Sequence, residues 1–80
     1  MAALINRGAD VNARRNDGVT PLMAAASKGQ LEAARTLVAA GADVNAVDDD
    51  GATALMEAAF GKNELVIDYL LEVTFFSVYV

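Results

Sequence analysis

The sequence predicts an all-α solenoid of stacked antiparallel helix pairs joined by hairpin-like loops. Three observations carry that prediction. The chain repeats itself at an interval of 33 residues, each copy holds two short stretches with apolar residues at helical spacing, and glycines fall where those stretches end.

The repetition is explicit. Displaced by 33 residues, Gly8 to Ala13 falls on Gly41 to Ala46, six identities in succession. The same displacement sets Asp17 and Gly18 on Asp50 and Gly51, Thr20 on Thr53, Leu22 and Met23 on Leu55 and Met56, Ala25 and Ala26 on Ala58 and Ala59, and Leu37 on Leu70. One repeating unit therefore accounts for residues 1–72. The organisation expected is a partial repeat over 1–8, a first full repeat over 9–41, a second over 42–72 and an atypical apolar tail over 73–80.

Each element has a local cause. The residues that open the chain match only the end of a second helix, so a partial helix is expected over 2–6, with Leu4 and Ile5 equivalent to Leu37 and Val38. Thr20 and Pro21 start the next helix: a threonine hydroxyl can cap free amides, and proline at the first helical position loses no hydrogen bond. That helix, expected over 21–27, is alanine-rich and can approach its neighbours closely, and Gly29 allows the tight turn after it. A second helix is expected over 31–40, with Ala33, Ala34, Leu37 and Val38 on one apolar face and Glu32, Arg35 and Thr36 toward water. Gly41 stops it.

The stretch from Ala42 to Gly51 holds turn-forming residues around a single buried valine and reads as a projecting loop. The plan then repeats, with Thr53 as cap and helices expected over 55–60 and 64–71. Val66, Ile67, Leu70 and Leu71 replace the smaller Ala33, Ala34, Leu37 and Val38, so the later repeat is expected to be the better packed. Beyond Glu72 the pattern ends. Residues 73–80 are β-branched and aromatic with neither charge nor proline, and read as a strand or an aggregation-prone segment. Two coverings are open to them, the end of the second repeat beside Val66 and Ile67 or the same surface on another molecule, and the one expected is the first, a makeshift cap.

Composition narrows the chemistry. Eighty residues with no cysteine, one proline and a net charge of −5 describe one small domain, not a disulfide scaffold or a disordered tail. At roughly 0.05–0.15 kcal/mol per residue its stability is only several kcal/mol. The lack of cysteine suits a reducing compartment, and the opening residues lack the basic-then-apolar order of a secretory signal, so the location expected is cytoplasmic. Residues 1–40 carry a net charge of +2 and residues 41–80 a net charge of −7. A chain this acidic, whose only basic pair is Arg14 and Arg15, is not expected to bind nucleic acid.

With the 33-residue period, Thr20 to Ala25 (TPLMAA) and the twice-used Gly-Ala-Asp-Val-Asn, the chain resembles the ankyrin repeat family. The resemblance covers residues 1–72, with two separate motifs recurring in register. Departures from the family pattern are Met23 and Met56 where histidine is common, Ala54 in place of proline and Lys62 in place of glycine. Loss of the histidine side-chain bonds implies a less rigid stack, although methionine fills apolar space well.

The inventory of reactive groups argues against catalysis. There is no histidine and no cysteine, which removes the commonest general base, the thiolate nucleophile and the usual zinc ligands. Asp48, Asp49 and Asp50 lack the spaced oxygens and closing glutamate of a calcium loop, and read as an exposed acidic tip. Glu57 and Glu64 fall on different predicted helices. No glycine cluster leads into a lysine, so no phosphate loop is present. The apolar stretch that includes the tail is broken by Asp68 and Glu72 and is too short to span a membrane. No catalytic, metal or cofactor-binding residue is assigned.

Function is therefore expected at the surface. The resemblance implies docking of a protein partner along the concave face formed by loop tips and first helices. The matching positions here are Arg14, Asn16, Asp17, Val19, Ser27 and Lys28 in one repeat, and Val47, Asp49, Asp50, Ala52, Phe60 and Gly61 in the next. Phe60, where the preceding repeat has Ser27, is either an interface anchor or a ring folded over the neighbouring repeat or the tail. The acidic second loop favours a partner with a basic surface. The alternative is a structural fragment of a longer array that self-associates through its exposed ends or its tail.

Overall fold

The computed structural model describes residues 10–78, with side chains as far as Phe75. Among the described residues four helices follow one another, α1 (Pro21–Ser27), α2 (Leu31–Ala39), α3 (Ala54–Phe60) and α4 (Glu64–Val78), and there is no strand. The partial helix expected over 2–6 lies outside them.

Both first helices start as their sequences dictate. The Met23 amide donates to Thr20 Oγ1 at 3.3 Å and the Met56 amide to Thr53 Oγ1 at 3.2 Å, which satisfies one of the free donors at each helix start. Met23 completes the first cap from the other side: its Sδ accepts the Thr20 amide at 3.5 Å, in a buried setting. A thioether there holds a place that an acid or amide side chain fills in a capping box. α3 begins at Ala54, one residue earlier than expected, because the residue after the cap is helical with or without proline. α2 ends one residue early, since Ala40 forms its C-cap.

Three helices end in the same hydrogen-bond pattern. The Gln30 amide donates to the Ala25 carbonyl, the Ala42 amide to that of Leu37 and the Asn63 amide to that of Ala58. The residue before each donor adopts a positive φ: Gly29 at 70°, Gly41 at 99° and Lys62 at 57°. This left-handed stop suits glycine, and Lys62 occupies it with a side chain.

The tail corrects the expectation. α4 does not end near Leu71 but runs on through Val78, so the segment after Glu72 is helix and not strand. The equivalent of Gly41 is Thr74, so the stop signal is missing, and extending a formed helix costs far less than starting one. Val73 packs against the core as part of this continued helix.

α1 packs on α2 and on α3, α3 packs on α4, and α4 touches α2. The core between them is built from Leu22, Met23, Ala25, Ala26, Ala34 and Leu37 of the first repeat, with Ala54, Ala58, Val66 and Leu70 of the second. Alanines at the α1 and α3 contact let the two helices approach closely. The expectation that the later repeat packs better holds only in part: Val66 is buried where Ala33 is half-buried, but Ile67 is half-buried where Ala34 is buried and Leu71 is 51% exposed where Val38 is half-buried, and Met56 is 48% exposed where Met23 is buried. Neighbours decide burial here, and side-chain size does not. On the outer side the Arg35 guanidinium lies 5.6 Å from the centre of the Tyr69 ring, and partial burial raises the Tyr69 hydroxyl above its ordinary pKa.

Candidate protein-binding surface

Two hairpin tips project beside each other. In the first, the Gly18 amide donates to the Arg15 carbonyl and the Arg15 amide to the Val19 carbonyl, both at 2.9 Å. In the second, the Gly51 amide donates to the Asp48 carbonyl at 3.0 Å and the Asp48 amide to that of Ala52 at 2.9 Å. Each turn closes on a glycine at φ 82°. Gly18 is required twice over, because a Cβ there would lie 2.8 Å from the Asp49 backbone nitrogen.

Carboxylates brace the tips from different positions. Asp17 Oδ1 accepts the Val19 amide at 3.2 Å, whereas Asp48 Oδ1 accepts the amides of Asp50 and Ala52, each at 2.9 Å. Asp17 also pairs with Arg15 at 2.8 Å, with both side chains more than half exposed. That guanidinium and the Val19 amide hold the Asp17 carboxyl below its ordinary pKa.

The tips are locked to one another. The Asp49 amide donates to the Asp17 carbonyl at 3.1 Å, and Arg14 Nη1 donates to the carbonyls of Val47 and, at 3.4 Å, Gly18. Deeper in the loops, Asn12 Oδ1 accepts the Asp43 amide at 2.7 Å. At the far end of the first helices, Asn63 Nδ2 donates to the carbonyls of Ala26 at 2.9 Å and Ser27 at 3.2 Å.

Most of the residues expected at a partner surface are open to solvent. Asn16, Asp17, Ser27, Lys28, Asp49 and Asp50 are exposed, Val47 is 43% exposed and Val19 is half-buried. Arg14 is exposed, but its guanidinium is engaged by two carbonyl oxygens. Ala52 is only 9% exposed, and its carbonyl accepts the Asp48 amide that closes the hairpin. Gly61 caps α3 and offers backbone alone. Phe60 does not fold over its neighbours: at 77% it is the most exposed large apolar side chain among the described residues.

Sequence reasoning gave Asn12, Asn63, Arg15, Asp48 and Met56 no part in the surface or in the contact between repeats. The repeated Gly-Ala-Asp-Val-Asn run was a signal for Asn12. Asn63 had none, because its equivalent in the first repeat is Gln30. Among the described residues, no cluster of acidic side chains is arranged to hold a metal ion, and no helix is long and apolar enough to cross a membrane.

Stacked helix pairs bound by loop-to-loop and side-chain-to-backbone hydrogen bonds define a helical repeat protein, whose variable surface carries recognition. The family profile described as ankyrin repeats (3 copies) matches residues 1–77, and the chain belongs to that family. Members of this family are non-enzymatic protein–protein interaction modules. Among curated proteins no significant match to the chain was found.

Proposed function

We propose that this chain is a cytoplasmic, non-catalytic binding module that holds a protein partner on the surface formed by the two hairpin tips and the exposed side of α1 and α3. The observation that carries the reading is the 77% exposure of Phe60 at the end of α3. A large ring held on a rigid helix and left in water gains most when a partner desolvates it. Asp49 and Asp50 at the exposed second tip add charge that favours a partner with a basic surface. Asn16, Asp17, Val19, Ser27, Lys28 and Val47 complete the contact zone, with Arg14, Ala52 and Gly61 shaping it from behind.

Selection of binders from a displayed peptide library tests this. Wild-type protein should enrich basic sequences with an apolar anchor, and a variant carrying Phe60→Ser, Asp49→Lys and Asp50→Lys should lose them while melting like the parent. Binders that hold the variant as tightly as the wild type would refute the reading.

A second reading, self-association through the ends of the stack, is favoured by Met56. It is 48% exposed although its equivalent Met23 is buried between repeats. Under this reading the apparent mass rises with concentration.

A further inference from the structure

Two of the chain's six glycines follow an acidic residue, Gly18 after Asp17 and Gly51 after Asp50, and both pairs sit at the same place in equivalent hairpin tips. An aspartate followed by glycine can react within itself. The glycine nitrogen attacks the aspartate Cγ, a five-membered ring closes and water leaves. Glycine permits this because it has no Cβ to hinder the approach or restrict the backbone. Two conditions set the rate in a folded protein: how firmly the glycine amide is held, and whether the carboxyl group is free to turn onto it.

The first condition is the same in both tips. Gly18 and Gly51 each have φ 82°, and their amides donate to the carbonyls of Arg15 at 2.9 Å and Asp48 at 3.0 Å. The second condition differs. Both oxygens of Asp17 are tied down, Oδ2 by the Arg15 guanidinium at 2.8 Å and Oδ1 by the Val19 amide at 3.2 Å. The same partners depress its pKa and so favour the ionised form, which is the poorer electrophile. In the second tip the residue equivalent to Arg15 is Asp48, which carries no side-chain donor. The amide equivalent to that of Val19 belongs to Ala52, and Asp48 Oδ1 already accepts it at 2.9 Å. The exposed Asp50 carboxylate is therefore left with neither a hydrogen bond nor an ion pair among the described residues. The difference arises within each hairpin, from Arg15 in one and Asp48 in the other.

We infer that Asp50 is a site of self-modification, at which the Gly51 nitrogen closes a succinimide on the Asp50 side chain and hydrolysis reopens it as isoaspartate. On closure a bond forms between the Gly51 nitrogen and Asp50 Cγ, and the departing water carries the amide proton and the carboxyl hydroxyl. On reopening, water adds to the main-chain carbonyl carbon of Asp50 and the bond from that carbon to the Gly51 nitrogen breaks. Mass and charge are unchanged. The backbone gains one methylene at the tip, and the carboxylate moves onto Cα, so the acidic tip proposed to meet a partner changes shape without losing its charge.

Incubation of the full chain for several weeks near neutral pH in heavy-oxygen water, followed by peptide mapping, tests this. Each reopening takes up a labelled oxygen, and isoaspartyl peptides separate from their aspartyl forms by chromatography. In the folded protein Asp50 should convert several times faster than Asp17, and the gap should close in urea, where neither carboxyl keeps its partners. Arg15→Ala should raise conversion at Asp17 several-fold, and Asp48→Arg should slow it at Asp50. The comparison with urea uses no variant, so it holds even where a substitution lowers the melting temperature. Absence of label at Asp50, or equal conversion of the two sites in the folded protein, overturns the proposal. An Arg15→Ala variant in which Asp17 stays as slow as before overturns the part given to the carboxylate's partners.

Discussion

The Asn63 side-chain amide donates to the Ala26 carbonyl at 2.9 Å, reaching from the second repeat into the last turn of α1. It sits in a slot walled by two glycines: a Cβ on Gly29 would lie 2.7 Å from Asn63 Oδ1, and one on Gly61 2.6 Å from Nδ2. The end of a first helix is where carbonyls run out of intrahelical partners, so a side chain from the neighbouring repeat couples helix capping to stacking. Asn63→Ala should therefore lower stability by about 1 kcal/mol, the net worth of a hydrogen bond of this kind, in urea unfolding. Gly61→Ala should also destabilise, because its new methyl would stand 3.0 Å from the Ser27 carbonyl oxygen as well. Parental midpoints for both variants would show that the slot contributes nothing.

Lys62→Gly should stabilise the protein. Lys62 is held at φ 57°, in the position that Gly29 takes at φ 70°, and a side chain pays a steric penalty there that glycine avoids. The gain should be about 1 kcal/mol, read as a higher urea midpoint at unchanged slope. A lower midpoint would mean that glycine's extra freedom in the unfolded chain outweighs the relieved strain.

Met23→Ala and Met56→Ala should differ although they are the same change at equivalent positions. The first removes a side chain 1% exposed and should cost about 2–5 kcal/mol, whereas the second, at 48% exposure, should cost under about 1 kcal/mol. Leu37→Ala and Leu70→Ala belong with Met23→Ala, because both side chains are at most 2% exposed. Costs of that size approach the whole stability of a small stack, so circular dichroism of dilute samples should find these three variants largely unfolded at room temperature.

Truncation after Glu72 should lower the melting temperature. It removes Val73 from the core and takes the final turns from α4. The signal lost in the far ultraviolet should be helical. A lost strand signal, or no change in melting, would contradict the extended helix.

Acid titration should find a small contribution from Asp17. The Arg15 guanidinium and the Val19 amide depress its folded pKa, so this stability is fully present above the ordinary carboxylate range and is lost as pH falls through the depressed value. Asp17→Asn should make the acid-side fall in melting temperature shallower while leaving the neutral value nearly unchanged, since the pair is solvent-exposed. An acid limb identical to the parent's would show that the pairing does not persist in solution.

The helices and their order were legible in local chemistry. Thr20 and Thr53 announce the starts, Gly29 and Gly41 announce the stops, and the 33-residue register carries one repeat onto the next. The same logic fails at Thr74. With no glycine to end α4, the β-branched and aromatic run reads as strand in isolation, but it follows a helix already nucleated and continues it. Most exposed positions at the tips were also legible, because turn residues follow the repeat plan.

Sequence alone determined the family, the number of helices in each repeat and the placing of the two tips, since caps, turns and periodicity act within a few residues of one another. Only the tertiary structure decided which equivalent side chain is buried, where Arg14 spends its hydrogen bonds and that Phe60 stands in water. Those outcomes depend on what lies across an interface. A residue's own chemistry is the same in both repeats, but Met23 has a repeat packed over it and the side chain of Met56 lies half open to water.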